Sequence, residues 1–400
     1  MSNLNNISKR IIILFIDLGL IFAPMDAWLI LPIDIVGVKI SISRVLVLFS
    51  FFIYITLSIK KRYISFNSML ILVFFWSIVY MLSIFWIDIS IEKSLIFRKL
   101  FSLIFSILLI YLGYLSEKYD QTIRVFAIII TISVIVALVE QIYGIRPQIE
   151  RQHLFLYELT AFYINPAHLG ATLALLSPWI KYYISKRNIK LIEYILDFII
   201  LFIIIRTGSK GAILAFLIGL FIMLFSIKDL RKNFLLNIII YILIGIFLYY
   251  FILYFTLIPD IILNKINLLF RTSAASESYI GRTEIYEVMF SYIKNRPLLG
   301  YGLGTSSYLG MSSHNFWLEI WFEGGIINFI IFIFIYFTTL YNLLFIKTDV
   351  GSKLCLAFLI AFIPISFTVS SIFTLWSFWI VLGVCFYRIN SKCNFDIYKN

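Results

Sequence analysis

The sequence predicts an all-α, polytopic membrane fold of about twelve transmembrane helices. Residues 1–400 form a single integral membrane domain, and one longer extracytoplasmic loop, 259–314, carries a short amphipathic helix. Three observations predict this. Of the 400 residues, 62% are hydrophobic and only 14% charged, with a mean hydropathy of +0.99, against roughly 25% charged in a soluble domain. Apolar runs close to the ~20 residues that cross a bilayer recur along the chain. The longest polar interruption among them, 277–325, concentrates Arg, His, Gly and Pro. The formal charge of +12 reads as the cationic bias of cytoplasmic loops and not as a nucleic-acid footprint. Cys355 and Cys385 lie in apolar segments and Cys393 in the C-terminal tail, a pattern that offers neither a disulfide framework nor a metal site.

Lys9 and Arg10 precede the first run, 11–31. Its length and the lack of a small-residue cleavage site predict a retained span and not a cleaved signal. Asp17 and Asp26 lie within it. Each is either a functional acid at membrane depth or, for Asp26 near Pro24, a mark of the outer edge. Further spans are expected at 40–59, 66–87, 96–115, 123–143, 163–183, 191–205, 212–227, 235–258, 316–345, 354–373 and 375–387. The last two are joined so tightly that a re-entrant pair is an alternative. With the N-terminus inside, 19 of the 33 Lys and Arg fall in short inner segments, and five of the other 14 lie between Ile258 and His314. That bias predicts cytoplasmic termini and an extracytoplasmic long loop. Arg206, Lys210, Arg271 and Arg282 then sit at the outer face, where cations suit a lipid-linked phosphate or diphosphate.

Three local motifs bear on this. Asn165-Pro166-Ala167-His168 opens the sixth span, with Gly170, Ala171 and Ala174 as a close-packing face; His168 is either functional or part of a helix start. Arg206-Thr207-Gly208-Ser209-Lys210-Gly211 joins two spans. Its cations, hydroxyls and glycines can form a notch for phosphate oxygens, or its basic side chains can snorkel to head groups. From Arg282 to Ile293, apolar Ile285, Val288, Met289, Tyr292 and Ile293 recur at helical intervals, which predicts a helix lying on the membrane surface. Pro297, Gly300, Gly302 and Gly304 break it, and His314-Asn315 follows at the mouth of the tenth span. Glu319 and Glu323 lie one turn apart there, and Gly324-Gly325 loosen the helix below.

Gly281-Arg282, Asn295-Arg296-Pro297-Leu298-Leu299-Gly300-Tyr301-Gly302-Leu303-Gly304 and His314-Asn315 with Leu318, Glu323 and Gly325 resemble the signature loop of the O-antigen ligase and O-antigen polymerase superfamily. The Asn165-Pro166 and Thr207–Gly211 stretches resemble its two upstream motifs, so the likeness spans about residues 160–330 in four pieces. Lys210 stands where the family usually has arginine, Asn328 replaces a small glycine, and Ala167 replaces an asparagine. The resemblance implies a membrane glycosyltransferase that passes a glycan, with inversion, from undecaprenyl diphosphate to a hydroxyl on a lipid-linked glycan acceptor. It implies the periplasmic face of the bacterial inner membrane and a chain-length regulator as a further partner. It requires no metal or other cofactor, consistent with the lack of DxD and HExxH motifs. Arg282 would stabilise the departing diphosphate, with Arg206, Lys210, Ser209, Arg271 and Asn315 binding substrate. His314 would be the general base or would orient the acceptor hydroxyl, Glu319 or Glu323 holding its tautomer, with Asn165 and His168 in support. Polymerase is the favoured branch; ligase and a transporter or flippase of the same lipid-linked sugars are the alternatives. Internal repeats, which a transporter tends to show, are not visible between the halves.

Overall fold

The structure, a computed structural model, describes residues 2–25, 30–35, 38–59, 67–87, 92–143, 159–163, 165–187, 189–232, 234–254, 277–308, 314–369 and 371–391. Continuous apolar runs satisfy their backbone in lipid as helices, and helices dominate. They are α1 (Ser2–Phe22), α2 (Ile42–Ile59), α3 (Ser68–Leu82), α4 (Lys93–Lys118), α5 (Thr122–Tyr143), α6 (Pro166–Lys186) and α7 (Lys190–Arg206), then α8 (Lys210–Ser226), α9 (Phe234–Tyr254), α10 (Glu277–Asn295), α11 (Phe316–Tyr341), α12 (Val350–Ser366) and α13 (Trp376–Asn390). Among the described residues, Ser68–Trp86, Lys93–Lys118, Thr122–Tyr143 and Phe316–Ile346 are long and apolar enough to cross a membrane, and shorter apolar helices accompany them. Leu235, Leu236, Ile239, Ile242 and Leu243 of α9 are exposed, the surface expected of a lipid-facing helix. The chain reads as a multi-pass membrane protein.

The first span requires a correction. Helix α1 stops at Phe22, short of the expected 31, and a 3-10 turn over Ala23–Met25 leads into strand β1 (Ile30–Ile35). This pairs antiparallel with β2 (Val38–Ser41), Ile35 opposite Val38. The fold is therefore all-helical in class, with one small hairpin where the first span was expected to continue. Pro24 and Pro32 supply the reason. Neither can donate the N–H a helix interior needs, whereas a two-stranded ribbon consists only of edges, where proline is tolerated.

Ion pairs sort the helix ends into two groups. At one end Arg388 of α13 pairs with Glu117 of α4 and, at 3.3 Å, with Asp349 before α12. There too Lys181 of α6 pairs with Glu193 and Asp197 of α7 at 2.8 and 2.5 Å. At the other end Lys99 of α4 pairs with Glu319 of α11. Helices α12 and α13 are thus antiparallel, joined through 367–375 at the Lys99 end. Helix α13 lies directly on α4: a Cβ on Gly383 would stand 2.8 Å from the Tyr114 amide nitrogen, so only a small residue permits that approach.

Candidate active site

The first two motifs meet at the Lys99 end. Asn165 caps α6, its Oδ1 accepting from the His168 amide at 2.9 Å. A Cβ on Gly170 would lie 2.7 Å from Thr207 Oγ1 and 3.0 Å from the Ala212 Cβ, so α6 packs onto the turn between α7 and α8. Gly208 makes that turn at φ 66, and Ser209 caps α8 by accepting from the Ala212 amide at 3.4 Å. The two cations of the motif part company. Lys210 is exposed on the first turn of α8, whereas Arg206 is buried and its Nε donates to Gln141 Oε1 of α5 at 2.7 Å. Arg206 braces α7 against α5; Lys210 is the cation presented outward.

Thr368 links this motif to His314. A Cβ on Gly211 would stand 2.7 Å from Thr368 Cγ2, and the Thr368 carbonyl oxygen lies 3.3 Å from His314 Nδ1. A carbonyl only accepts, so Nδ1 carries the proton in that contact and Nε2 carries the lone pair. His314 adopts φ 45, the left-handed region that non-glycine residues enter rarely and that clusters at functional sites. The next residue, Asn315, caps α11, its Oδ1 accepting from the Trp317 and Leu318 amides at 3.1 and 3.2 Å.

Below His314 the helix is broken. Gly325 takes φ 73 and ψ 178, and the chain of 296–304 fills the gap. The Tyr301 and Gly302 amides donate to the Phe322 and Glu323 carbonyls at 2.9 and 2.8 Å, while the Ile326 amide donates to the Pro297 carbonyl at 2.9 Å. Gly300, Gly302 and Gly304 all have positive φ, which explains the glycine spacing of the signature loop. Trp86 Nε1 donates to the Leu299 carbonyl at 2.9 Å. Residues 300–304 of this irregular stretch are buried in protein, whereas Pro297, Leu298 and Leu299 are exposed, and irregular backbone near lipid needs such protein cover.

Helix α10 packs by Met289 and Ile293 against Tyr301, Leu318 and Phe322. Val288 and Phe290 of the same helix stay exposed, so α10 packs on α11 by part of its apolar surface and leaves the rest uncovered. Arg282 belongs to this helix, but its side chain lies outside the described residues, and so does all of Arg271.

Glu319 and Glu323 do not hold the imidazole. Glu319 bonds Lys99 and, at 3.2 Å, Ser371. Glu323 accepts from Tyr80 Oη at 2.7 Å and Ser306 Oγ at 2.5 Å and lies 3.7 Å from Lys99. The tautomer contact comes instead from Thr368. The segment 367–375 supplies three partners that the motifs did not reveal: Thr368 for His314, Ser371 for Glu319 and Thr374, whose Oγ1 is 3.4 Å from His168 Nε2. His168, Tyr163, Thr172, Thr374 and Ser377 line a small cavity there together with apolar Ala23, Pro24, Leu375 and Trp376. The available signal was a run of hydroxyls, Thr368, Ser370, Ser371 and Thr374, in an otherwise apolar stretch. Among the described residues no group of three or more His, Cys, Asp and Glu is placed to hold a metal ion.

These features describe a multi-pass helical membrane protein in which the turn before α8, the Thr368 carbonyl and the backbone-strained His314 come together at one end of the bundle. Residues 195–333 match a family model described as O-antigen ligase. That similarity covers about a third of the chain and agrees with the resemblance of its motifs to the O-antigen polymerase and ligase superfamily. The matched stretch holds the 206–211 turn, α10, the glycine-rich loop and His314. No curated protein and no solved structure matches the chain.

Proposed function

We propose that this protein polymerises lipid-linked O-antigen or capsule repeat units at the periplasmic face of the bacterial inner membrane, by metal-independent, inverting glycosyl transfer from undecaprenyl diphosphate to a sugar hydroxyl. The observation that carries the reading is His314, strained at φ 45 and turned by the Thr368 carbonyl so that Nε2 is basic, at the same helix ends as exposed Lys210. Nε2 takes the acceptor hydroxyl's proton as its oxygen attacks the anomeric carbon. The bond to the diphosphate oxygen breaks on the opposite face of the sugar, and the leaving group departs with the electron pair. Lys210 and Arg282, with Arg271, stabilise the diphosphate charge; Arg206 acts by bracing the turn that presents Lys210. The apolar runs support about twelve crossings, the Lys and Arg bias supports cytoplasmic termini, and a chain-length regulator would act on the growing product.

A second reading, transfer of the finished glycan to lipid A core, is favoured by the description of the matched family as O-antigen ligase. Gene deletion followed by gel analysis of surface glycans separates the two: a single repeat on the core indicates a missing polymerase, bare core a missing ligase. An unchanged ladder overturns both. Among the cations, Lys210→Ala is expected to slow transfer about 10- to 150-fold, the value of one charge-assisted hydrogen bond of about 1.5–3 kcal/mol. Arg282→Ala is expected to abolish it, with both variants still inserted in the membrane. Initial rates in membranes matched for protein content check this.

A further inference from the structure

The geometry points to Lys99 as a positioning residue for the His314 site, a role that rests on the transfer reaction proposed above. Lys99 is a buried cation inside an apolar helix, 7% exposed, and an ionisable group at such a place calls for a specific function or partner. Its partners are Glu319 and Glu323, 3% and 0% exposed. The pair of acids is not satisfied by Lys99 alone. Tyr80 of α3 and Ser306, on the one-turn helix Thr305–Tyr308, donate to Glu323, and Ser371 donates to Glu319 while lying 3.4 Å from Lys99 Nζ. The ammonium also sits over the Phe373 ring at 4.9 Å.

Three of the groups tied into this cluster lie close along the chain to His314 or to its partner Thr368. Glu319 is five residues after it on the helix that Asn315 caps. Ser306 is eight residues before it, directly after the glycine-rich turn. Ser371 is three residues after Thr368, whose carbonyl orients the imidazole. Lys99 therefore holds, through two carboxylates, the chain on both sides of the histidine and the loop that sets its tautomer. The first turn of α11 and the 367–375 loop are drawn to one point, and the ring between them is fixed by both. A ring on a strained backbone needs such a frame, because the surroundings must over-determine the position for the strain to persist. A misplacement of about 1 Å in a reacting group can lower a rate about 100-fold.

The test uses the full-length protein purified in detergent, with the lipid-diphosphate-linked glycan that accumulates in cells lacking the gene as probe. kcat per folded molecule and KM for that glycan are measured for wild type, His314→Ala, Lys99→Arg, Lys99→Met and the charge-neutral pair Lys99→Met/Glu319→Gln. The double variant keeps the experiment decisive if Lys99→Met alone, with an uncompensated buried acid, fails to fold. Expected is a fall in kcat of about 100-fold in the methionine variants, KM within about twofold of wild type, and recovery of most of the rate in Lys99→Arg. Wild-type kcat per folded molecule in the double variant, with any loss confined to the folded fraction, overturns the positioning role. No transfer by wild type overturns the proposed reaction itself, and transfer by wild type that persists in His314→Ala overturns the base assignment on which the role of Lys99 depends.

Discussion

Replacing His314 by asparagine is expected to lower glycan transfer about 10²- to 10⁴-fold, the usual worth of a positioned general base, while the unfolding temperature stays within a few degrees of the parent. The two halves of that result have separate causes. Asparagine tolerates the left-handed region that His314 occupies at φ 45, so the backbone loses nothing. Its amide cannot take a proton at neutral pH, so the chemistry loses its base. His314→Gly makes the same point from the other direction. Relief of left-handed strain, about 1–2 kcal/mol, roughly offsets the extra chain entropy of glycine, about 0.5–1 kcal/mol, and the variant is expected to be folded and inactive. Parallel thermal unfolding and rate measurements decide it. Substantial transfer in either variant removes His314 from the base role.

Gly325→Ala is expected to produce the largest loss of folded protein of any single methyl addition in the site. Its φ of 73 and ψ of 178 lie in a region open essentially to glycine alone, and forcing another residue there costs about 1–3 kcal/mol. The added Cβ would also stand 2.5 Å from the Leu298 carbonyl carbon and 2.6 Å from that of Leu299. Both are backbone atoms of the turn that plugs the break in α11, so an overpacking cost of about 1–3 kcal/mol is added. Gly245→Ala supplies the contrast. A Cβ there meets nothing within 4 Å on exposed α9, and helix propensity favours alanine by about 0.8–1 kcal/mol. Size-exclusion yield and unfolding temperature should fall for Gly325→Ala and hold or rise for Gly245→Ala. Equal behaviour of the two would mean that the break in α11 is not a fixed part of the fold.

Much of this arrangement was legible in the sequence. Apolar run lengths marked the helices, and the glycines of 300–304 and 324–325 marked breaks. Their joint purpose was not legible: three positive-φ glycines in one segment exist to seat a turn in a helix gap that a fourth, Gly325, creates further along the chain, and spacing alone does not pair them. The 367–375 loop escaped notice for a different reason. Serines and threonines in apolar helices commonly bond a carbonyl one turn back, as Ser77, Ser133 and Thr339 do here, so a hydroxyl run carries little information until the fold shows what it faces. Lys99 was masked by a neighbouring effect. It stands near Arg98 and Lys93 at a span's start, where sequence alone does not distinguish it from an interfacial cation, and only the packing of α11 against α3 and α4 encloses it with two acids. Arg206 was placed at the correct turn, but its direction depends on the end of α5, which lies 65 residues away in sequence from its partner.

Transfer by the purified protein in detergent, where no compartments exist across which to move a substrate, tests the central claim most directly. Supplied with lipid-diphosphate-linked repeat units and analysed by gel or mass spectrometry, the wild-type protein is expected to yield products longer by whole repeats, with release of the lipid diphosphate, and His314→Ala none. Unaltered substrate with the folded wild-type protein, or equal product from the histidine variant, would contradict it.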